Sequence, residues 1–160
     1  MTTVQMEKTR IEHDLLGNKA VPQSCYYGIH TLRAIENFQI SKQHVGQNLN
    51  FIRAIAQVKK ASAETNYQFN LIQDDIRQAI QQACDALIDH PEQWADSFPI
   101  DIYQGGAGTS INMNANEVIA NIALESLGDA KGSYQRIHPN DHVNKSQSTN
   151  DVYPTALRLA

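Results

Sequence analysis

Apolar residues return at helical spacing along three stretches of the chain. The clearest is 72–88, where Ile72, Ile76, Ala79, Ile80, Ala83 and Leu87 form one stripe and Pro91 stops the run. The stripe predicts an amphipathic helix with its apolar face in a core. Residues 50–67 predict a second helix, because Phe51, Ile52, Ile55, Val58 and Ser62 share a face and Asn50 is placed to cap the start. A third helix is predicted over 111–127, ended by Gly128. Met113, Val118, Ile119, Ile122, Ala123 and Leu127 are its candidate core positions. Asn112, Asn114, Asn116 and Asn121 crowd the same stretch. Asn is a mediocre helix former and buried amides need hydrogen-bond partners, so this crowding predicts a polar network.

The remaining elements are shorter. Leu15-Leu16, a Gly17-Asn18-Lys19 turn and Ala20-Val21 predict a short hairpin. Residues 28–38 predict a short helix carrying Arg33 and Glu36. Tyr153-Pro-Thr-Ala-Leu-Arg-Leu-Ala160 reads as a helix just begun, with Pro154 in its first turn. Long helices dominate and no run of alternating strands occurs, so the fold class is mainly α. The chain stops without a Gly, Asn or polar tail to end the last helix. The expectation is the front part of a longer protein, with an apolar face on 153–160 left open to association.

Composition narrows the function classes. The chain has 160 residues, enough for one domain with a real core, and its 41% apolar and 19% charged content is that of a globular protein. A net charge of −4 offers no basic surface for nucleic acid. No apolar run approaches a membrane span, and Met1–Arg10 is polar rather than signal-like. Cys25 and Cys84 lie far apart and, without a secretion signal, read as reduced thiols of a cytoplasmic protein. Cys84 falls on the apolar stripe and is expected to be buried and inert, with Trp94 a packing residue. His13, His30, His44 and His90 are scattered and read as surface or structural residues.

Two segments carry candidate chemistry. Gln104–Glu117 runs through Gly105-Gly-Ala-Gly-Thr-Ser110 into the third predicted helix. A side-chain-poor loop before a helix can hold an anionic group on backbone N–H donors. A phosphate loop would need Gly-Lys-Ser/Thr, and Gly108 is followed by Thr109-Ser110. A dinucleotide fingerprint aligned on Gly106 and Gly108 would need Gly or Ala where Ile111 stands. The second segment is His138–Ala156, where Ser148, Thr149, Asn150 and Asp151 precede Pro154. Their hydroxyls and amide can donate to a carboxylate, and a helix dipole there favours negative charge. A plain flexible turn at the first segment and ordinary N-capping at the second stay open. His138, Asp141 and His142 resemble a metal pair in spacing, but Pro139 disfavours a regular helix and no Cys or Glu nearby completes a site. No metal is expected there. No Ser-His-Asp or Cys-His constellation is present.

Tyr27–Phe38, Tyr103–Asn121 and Asn140–Ala156 closely resemble the N-terminal region of the aspartase/fumarase superfamily, on its aspartate ammonia-lyase side. The resemblance covers nearly the whole chain from about Arg10. Class II fumarases typically carry Gly-Ser-Gly-Thr-Gln where this chain has Gly-Ala-Gly-Thr-Ser at 106–110, and Ser-Ser-Asn where it has Ser148-Thr149-Asn150. Both differences favour the aspartate branch. His138-Pro139-Asn140-Asp141 leans the other way, because it resembles the fumarase segment that binds a second dicarboxylate.

The resemblance implies reversible deamination of L-aspartate to fumarate and ammonia through an aci-carboxylate, without an organic cofactor. It implies Thr109, Ser110, Ser148 and Thr149 as substrate-binding residues, with Asn150 near the departing amino group. His138, Asn140 and Asp141 are the candidate second dicarboxylate site. The catalytic serine of the family, on a Gly-Ser-Ser loop, and its Thr-His segment do not occur here, so no catalytic residue is expected within this chain. The resemblance further implies an N-terminal lyase domain over 1–147 and the truncated start of a central helical bundle over 148–160. The full-length protein would be a homotetramer, and this chain alone would be inactive. The alternatives are a class II fumarase acting on L-malate and fumarate, and a non-catalytic dicarboxylate-binding or interaction domain.

Overall fold

The computed structural model describes residues 8–160, so the start of the polar stretch read at Met1–Arg10 lies outside the described residues. Strands β1 (Thr9–Asp14) and β2 (Gly17–Pro22) pair antiparallel, from Thr9 opposite Pro22 to Asp14 opposite Gly17. The turn is Leu15-Leu16, two residues earlier than predicted. Gly17 takes φ +108°, which only glycine adopts freely, and the Asp14 carboxylate accepts the Leu16 N–H at 2.9 Å.

β1 inverts the usual pattern, burying Arg10 and Glu12 while Ile11 faces out. The two charges are tolerated because they are paired at 2.8 Å and otherwise saturated. Arg10 donates to the carbonyls of Pro22, Cys25 and Tyr27 at 2.7–2.9 Å. Glu12 accepts the backbone N–H of Ile29, at the start of helix α1 (Ile29–Asn37), at 2.8 Å. Gly28 caps α1 without a side chain, and Glu117 replaces that cap from across the molecule. It accepts N–H bonds from Gly28, His30 and Thr31 at 2.8–3.1 Å and the Thr31 hydroxyl at 2.6 Å. Burial pushes the Glu117 carboxyl up, against the pull of these donors. Arg33 and Glu36 then tie α1 to the hairpin through Asp14 and Lys19, at 2.7 and 2.6 Å.

The long helices are α2 (Leu49–Gln68), α3 (Asp74–Asp89) and α5 (Thr109–Ser126), with a single turn α4 (Pro91–Trp94) after α3 and a last helix α6 (Thr149–Leu159). α2 lies against α3 and α6, and α5 packs on α3, α1 and a π-helical turn over Pro139–Val143. The stripe predicted on α3 is the buried one: Ala79, Ile80, Ala83, Cys84 and Leu87 are enclosed, and Ile76 is half-buried. Burial pushes the Cys84 thiol up to about 12, which fits an inert core residue.

α2 is capped by Asn48, whose side chain accepts the Phe51 N–H at 3.1 Å, rather than by Asn50. Phe51, Ile52 and Ile55 are enclosed as predicted, but farther along the helix the buried face departs from the predicted one. Val58 and Ser62 are half-exposed, while Ala56, Lys59, Ala63 and Asn66 are enclosed. α5 ends as Gly128 predicts, in a Schellman pair: Gly128 N–H to Glu125 O at 3.0 Å and Asp129 N–H to Leu124 O at 2.9 Å. Among its predicted core positions, Val118, Ile119 and Ala123 are enclosed, and Met113, Ile122 and Leu127 are half-buried. All four Asn side chains are buried, but they do not bond to one another. Asn114 donates to Ser97 O at 2.9 Å, and Asn121 binds Tyr26 O, the Tyr134 hydroxyl and the Gly132 N–H at 2.7–3.1 Å. α5 is therefore the hub from which separate loops are held. No described helix is long and apolar enough to cross a membrane.

Candidate functional site

Asp101 fixes the approach to the glycine loop. It accepts the N–H groups of Ile40, Ser41 and Tyr103 and the Ser41 hydroxyl at 2.6–3.0 Å. Burial pushes this carboxyl up, yet the Ser41 and Tyr103 donors outweigh it and hold the group well below the usual carboxylate range. Gln104 follows, and its Oε1 accepts the N–H of Ser110 at 2.9 Å and of Ile111 at 3.3 Å. The first-turn donors that the sequence offered to an anion are therefore partly occupied by the chain itself. Thr109 remains exposed at the first position of α5, and Ser110 is half-buried beside it.

The loop closes on Gly108, at φ +88° and packed under the Tyr153 ring of α6. A Cβ at this position would overlap the ring. One glycine thus serves two ends, a left-handed turn into α5 and a close approach to α6. Tyr153 also stacks edge-on against Phe51 at 5.7 Å, which anchors α6 to α2.

The second segment begins at the π turn. His138 Nδ1 accepts the N–H groups of Asn140 and Asp141 at 3.2 and 3.3 Å, and His142 Nδ1 accepts the His138 N–H at 2.9 Å. Burial pushes the His142 imidazole down, which suits this acceptor role. Asn140 and Asp141 are exposed and His138 is half-buried, so all three candidate residues share one short turn. Among the described residues, no group of three or more His, Cys, Asp or Glu could hold a metal ion.

α6 then starts at Ser148, the N-cap, whose Oγ accepts the Asn150 N–H at 3.2 Å. Pro154 therefore sits in the second turn, not the first, and leaves the Asn150 carbonyl without its helical donor. Ser148 and Asn150 are exposed, and Thr149 is half-buried.

The two segments meet at Asn112 and Thr149. Asn112 Nδ2 donates to Thr149 Oγ1 and to Asn144 Oδ1, each at 3.1 Å, while its own Oδ1 is buried without a partner among the described residues. Behind them lies Lys59, fully enclosed on α2, donating to Asn144 Oδ1 at 2.9 Å and Gln147 Oε1 at 3.0 Å. It makes no ion pair with a carboxylate among the described residues, and burial pushes its amine down to about 7. The structure thus brings Thr149 and the start of α5 together through Asn112 and Gly108, whereas His138, Asn140 and Asp141 sit on the neighbouring turn. Lys59, Asn144 and Gln104 are the site-proximal residues that sequence reasoning missed. For Lys59 a signal existed, since Ile52, Ala56, Lys59, Ala63 and Asn66 follow one another at helical spacing.

A family model described as lyase matches residues 17–160. Aspartate ammonia-lyase of Escherichia coli (strain K12) is 54% identical over 151 residues, covering 94% of this chain and 31% of its own length. Aspartate ammonia-lyase of Helicobacter pylori is 55% identical over 151 residues, again covering 94% of this chain and 32% of the relative. Among solved structures, fumarate lyase:delta crystallin from Brucella melitensis in native form superposes with a TM-score of 0.91 at 54% identity, over 95% of this chain and 35% of that one. Class II fumarase from Schistosoma mansoni superposes with a TM-score of 0.86 at 35% identity, over 95% of this chain and 31% of that one. The chain spans about a third of the length of the curated relatives it matches. With residues 17–160 inside the family model, the chain belongs to the lyase family.

Proposed function

We propose that this chain is the N-terminal part of an aspartate ammonia-lyase, which converts L-aspartate reversibly to fumarate and ammonia. The observation that carries the reading is the Asn112–Thr149 bond, which fastens two Ser/Thr-rich segments to each other at helix starts. Sequence identity supports the aspartate branch: it is 54% to the Escherichia coli aspartate ammonia-lyase and 35% to the Schistosoma mansoni fumarase.

The chemistry needs donors where negative charge develops. A base removes a proton from the carbon beside the β-carboxylate, and the electron pair flows into that carboxylate as an aci-carboxylate. The pair then returns to form the carbon–carbon double bond as the carbon–nitrogen bond breaks and ammonia leaves. Thr109, Ser148 and Thr149 hold the β-carboxylate in this reading, with Ser110 beside them and Asn150 near the departing nitrogen. Hydroxyls aimed at the developing charge lower the barrier as an oxyanion hole does. The base serine and the Thr-His segment belong to the remainder of the full-length enzyme. That enzyme is a cytoplasmic homotetramer without an organic cofactor, with 1–147 as its first domain and 148–160 opening its central bundle.

His138, Asn140 and Asp141 favour a second reading of one region, a separate dicarboxylate site of the fumarase kind on the π turn. The test is the initial rate of fumarate formation by the full-length enzyme. L-Aspartate should be a substrate and L-malate should not. Turnover of L-malate alone would move the chain to the fumarase branch.

A further inference from the structure

We propose that Asn112 is a positioning residue: held by Lys59 through Asn144, its amide nitrogen keeps the Thr149 hydroxyl proton turned outward, toward a substrate carboxylate. The inference rests on the reading of Thr149 as a carboxylate-binding residue.

The chain of donors and acceptors starts at the buried Lys59 amine. Lys59 Nζ donates to Asn144 Oδ1 and Gln147 Oε1. Both oxygens facing Lys59 are held in place by other bonds. Gln147 commits its Nε2 to the carbonyls of Val143 at 2.8 Å and Lys145 at 3.1 Å, so its Oε1 faces Lys59. Asn144 commits its Nδ2 to the Gln147 carbonyl at 3.2 Å, so its Oδ1 faces Lys59 as well. Turning the Asn144 amide over would set oxygen against the Gln147 carbonyl and take the acceptor away from the donating Lys59 Nζ.

With Asn144 Oδ1 fixed, the neighbouring Asn112 must present nitrogen to it. The second proton on that nitrogen points at Thr149 Oγ1. An oxygen-first Asn112 would oppose Asn144 Oδ1, so the chain tolerates a buried Asn112 Oδ1 with no partner among the described residues instead. Thr149 Oγ1 is thereby an acceptor on its inner side. Its own proton has no acceptor among the described residues and is left for a group arriving at the start of α6. A free threonine hydroxyl would lose part of its donor strength to rotation. This one is set in direction before substrate arrives, which is what preorganisation requires.

Asn112→Asp is the informative variant, because it keeps the size and replaces a donor with an acceptor, drawing the Thr149 proton inward. In the full-length enzyme, kcat for L-aspartate should fall about 10²-fold with KM changed only a few-fold, as expected for a group acting on developing charge. Thr149→Val should fall comparably. Asn112→Asp/Thr149→Val should be no slower than Thr149→Val alone, because the positioned hydroxyl is already gone. Losses that multiply in the double variant would mean charge repulsion or independent damage to the fold, and would overturn the proposal. So would an Asn112→Asp enzyme with the wild-type kcat. If Asn112→Asp does not assemble, Asn112→Ser replaces it in the same cycle. It should slow the enzyme several-fold when Thr149 is present and add nothing to the loss in the Thr149→Val background. Multiplied losses would again overturn the proposal. A Thr149→Val enzyme at the wild-type rate would remove the carboxylate-binding reading itself, and the inference with it.

Discussion

Lys59 is a fully enclosed amine whose oxygen partners are both neutral amides. Burial takes its folded pKa down to about 7, below the ordinary lysine value of 10.5. The unfolded chain then binds more protons than the folded one between those two values, so this group makes stability rise as pH goes from about 7 toward 10. Below pH 7 the amine is charged in both states and the burial cost is fully present, on the order of 5 kcal/mol. Urea unfolding of wild type and Lys59→Met should show this slope in the first and its absence in the second. An identical pH profile for both would contradict the assignment. Gly108 gives a second prediction at this scale. Gly108→Ala adds a Cβ at φ +88° against the Tyr153 ring and should cost roughly 2 kcal/mol or more, read as a lower midpoint in thermal unfolding. The glycine was visible in the sequence as a loop residue. Its partner Tyr153 was not, because that contact exists only once α6 lies across α5.

At the scale of elements, α3 and the end of α5 were legible. An apolar stripe and a Gly after a helix act through local geometry that the fold does not override. The face of α2 is legible through Phe51, Ile52 and Ile55 but not beyond them, because a lysine reads as solvated and only the tertiary oxygens of Asn144 and Gln147 make its burial tolerable. The hairpin turn was misplaced for a related reason. Gly17-Asn18 is a strong turn signal, but the inward pair Arg10 and Glu12 and the Asp14–Arg33 contact set the register. α1 depends most on distant residues, since its first N–H groups are held by Glu117 from α5 and Glu12 from β1. Glu117→Gln keeps the shape but turns an amide NH₂ toward backbone donors. It should cost roughly 3 kcal/mol in chemical unfolding, with α1 and the hairpin losing hydrogen-exchange protection first. Unchanged protection of 28–31 would show that the cap is dispensable.

At the scale of the whole molecule, the candidate site consists of loops hung on α5 and closed by α6. The Ser/Thr clusters stand out in the sequence, but the Asn112–Thr149 bond that joins them and the occupation of α5 donors by Gln104 do not. Those are pairings across 37 and 6 residues that no local pattern announces. α6 buries Val152 and Ala156 and leaves Leu157 and Leu159 exposed at 51% and 59%. The exposed pair should make the 160-residue chain self-associate with concentration. Leu157→Gln/Leu159→Gln should shift it toward monomer in sedimentation velocity, and an unchanged distribution would clear this face of the role.

The most direct test of the central claim is the rate of fumarate formation by the full-length enzyme and its Thr149→Val variant, with L-aspartate and L-malate compared. Turnover of L-aspartate alone is expected, with kcat about 10²-fold lower in the variant. Turnover of L-malate in place of L-aspartate, or a variant as fast as wild type, would contradict it.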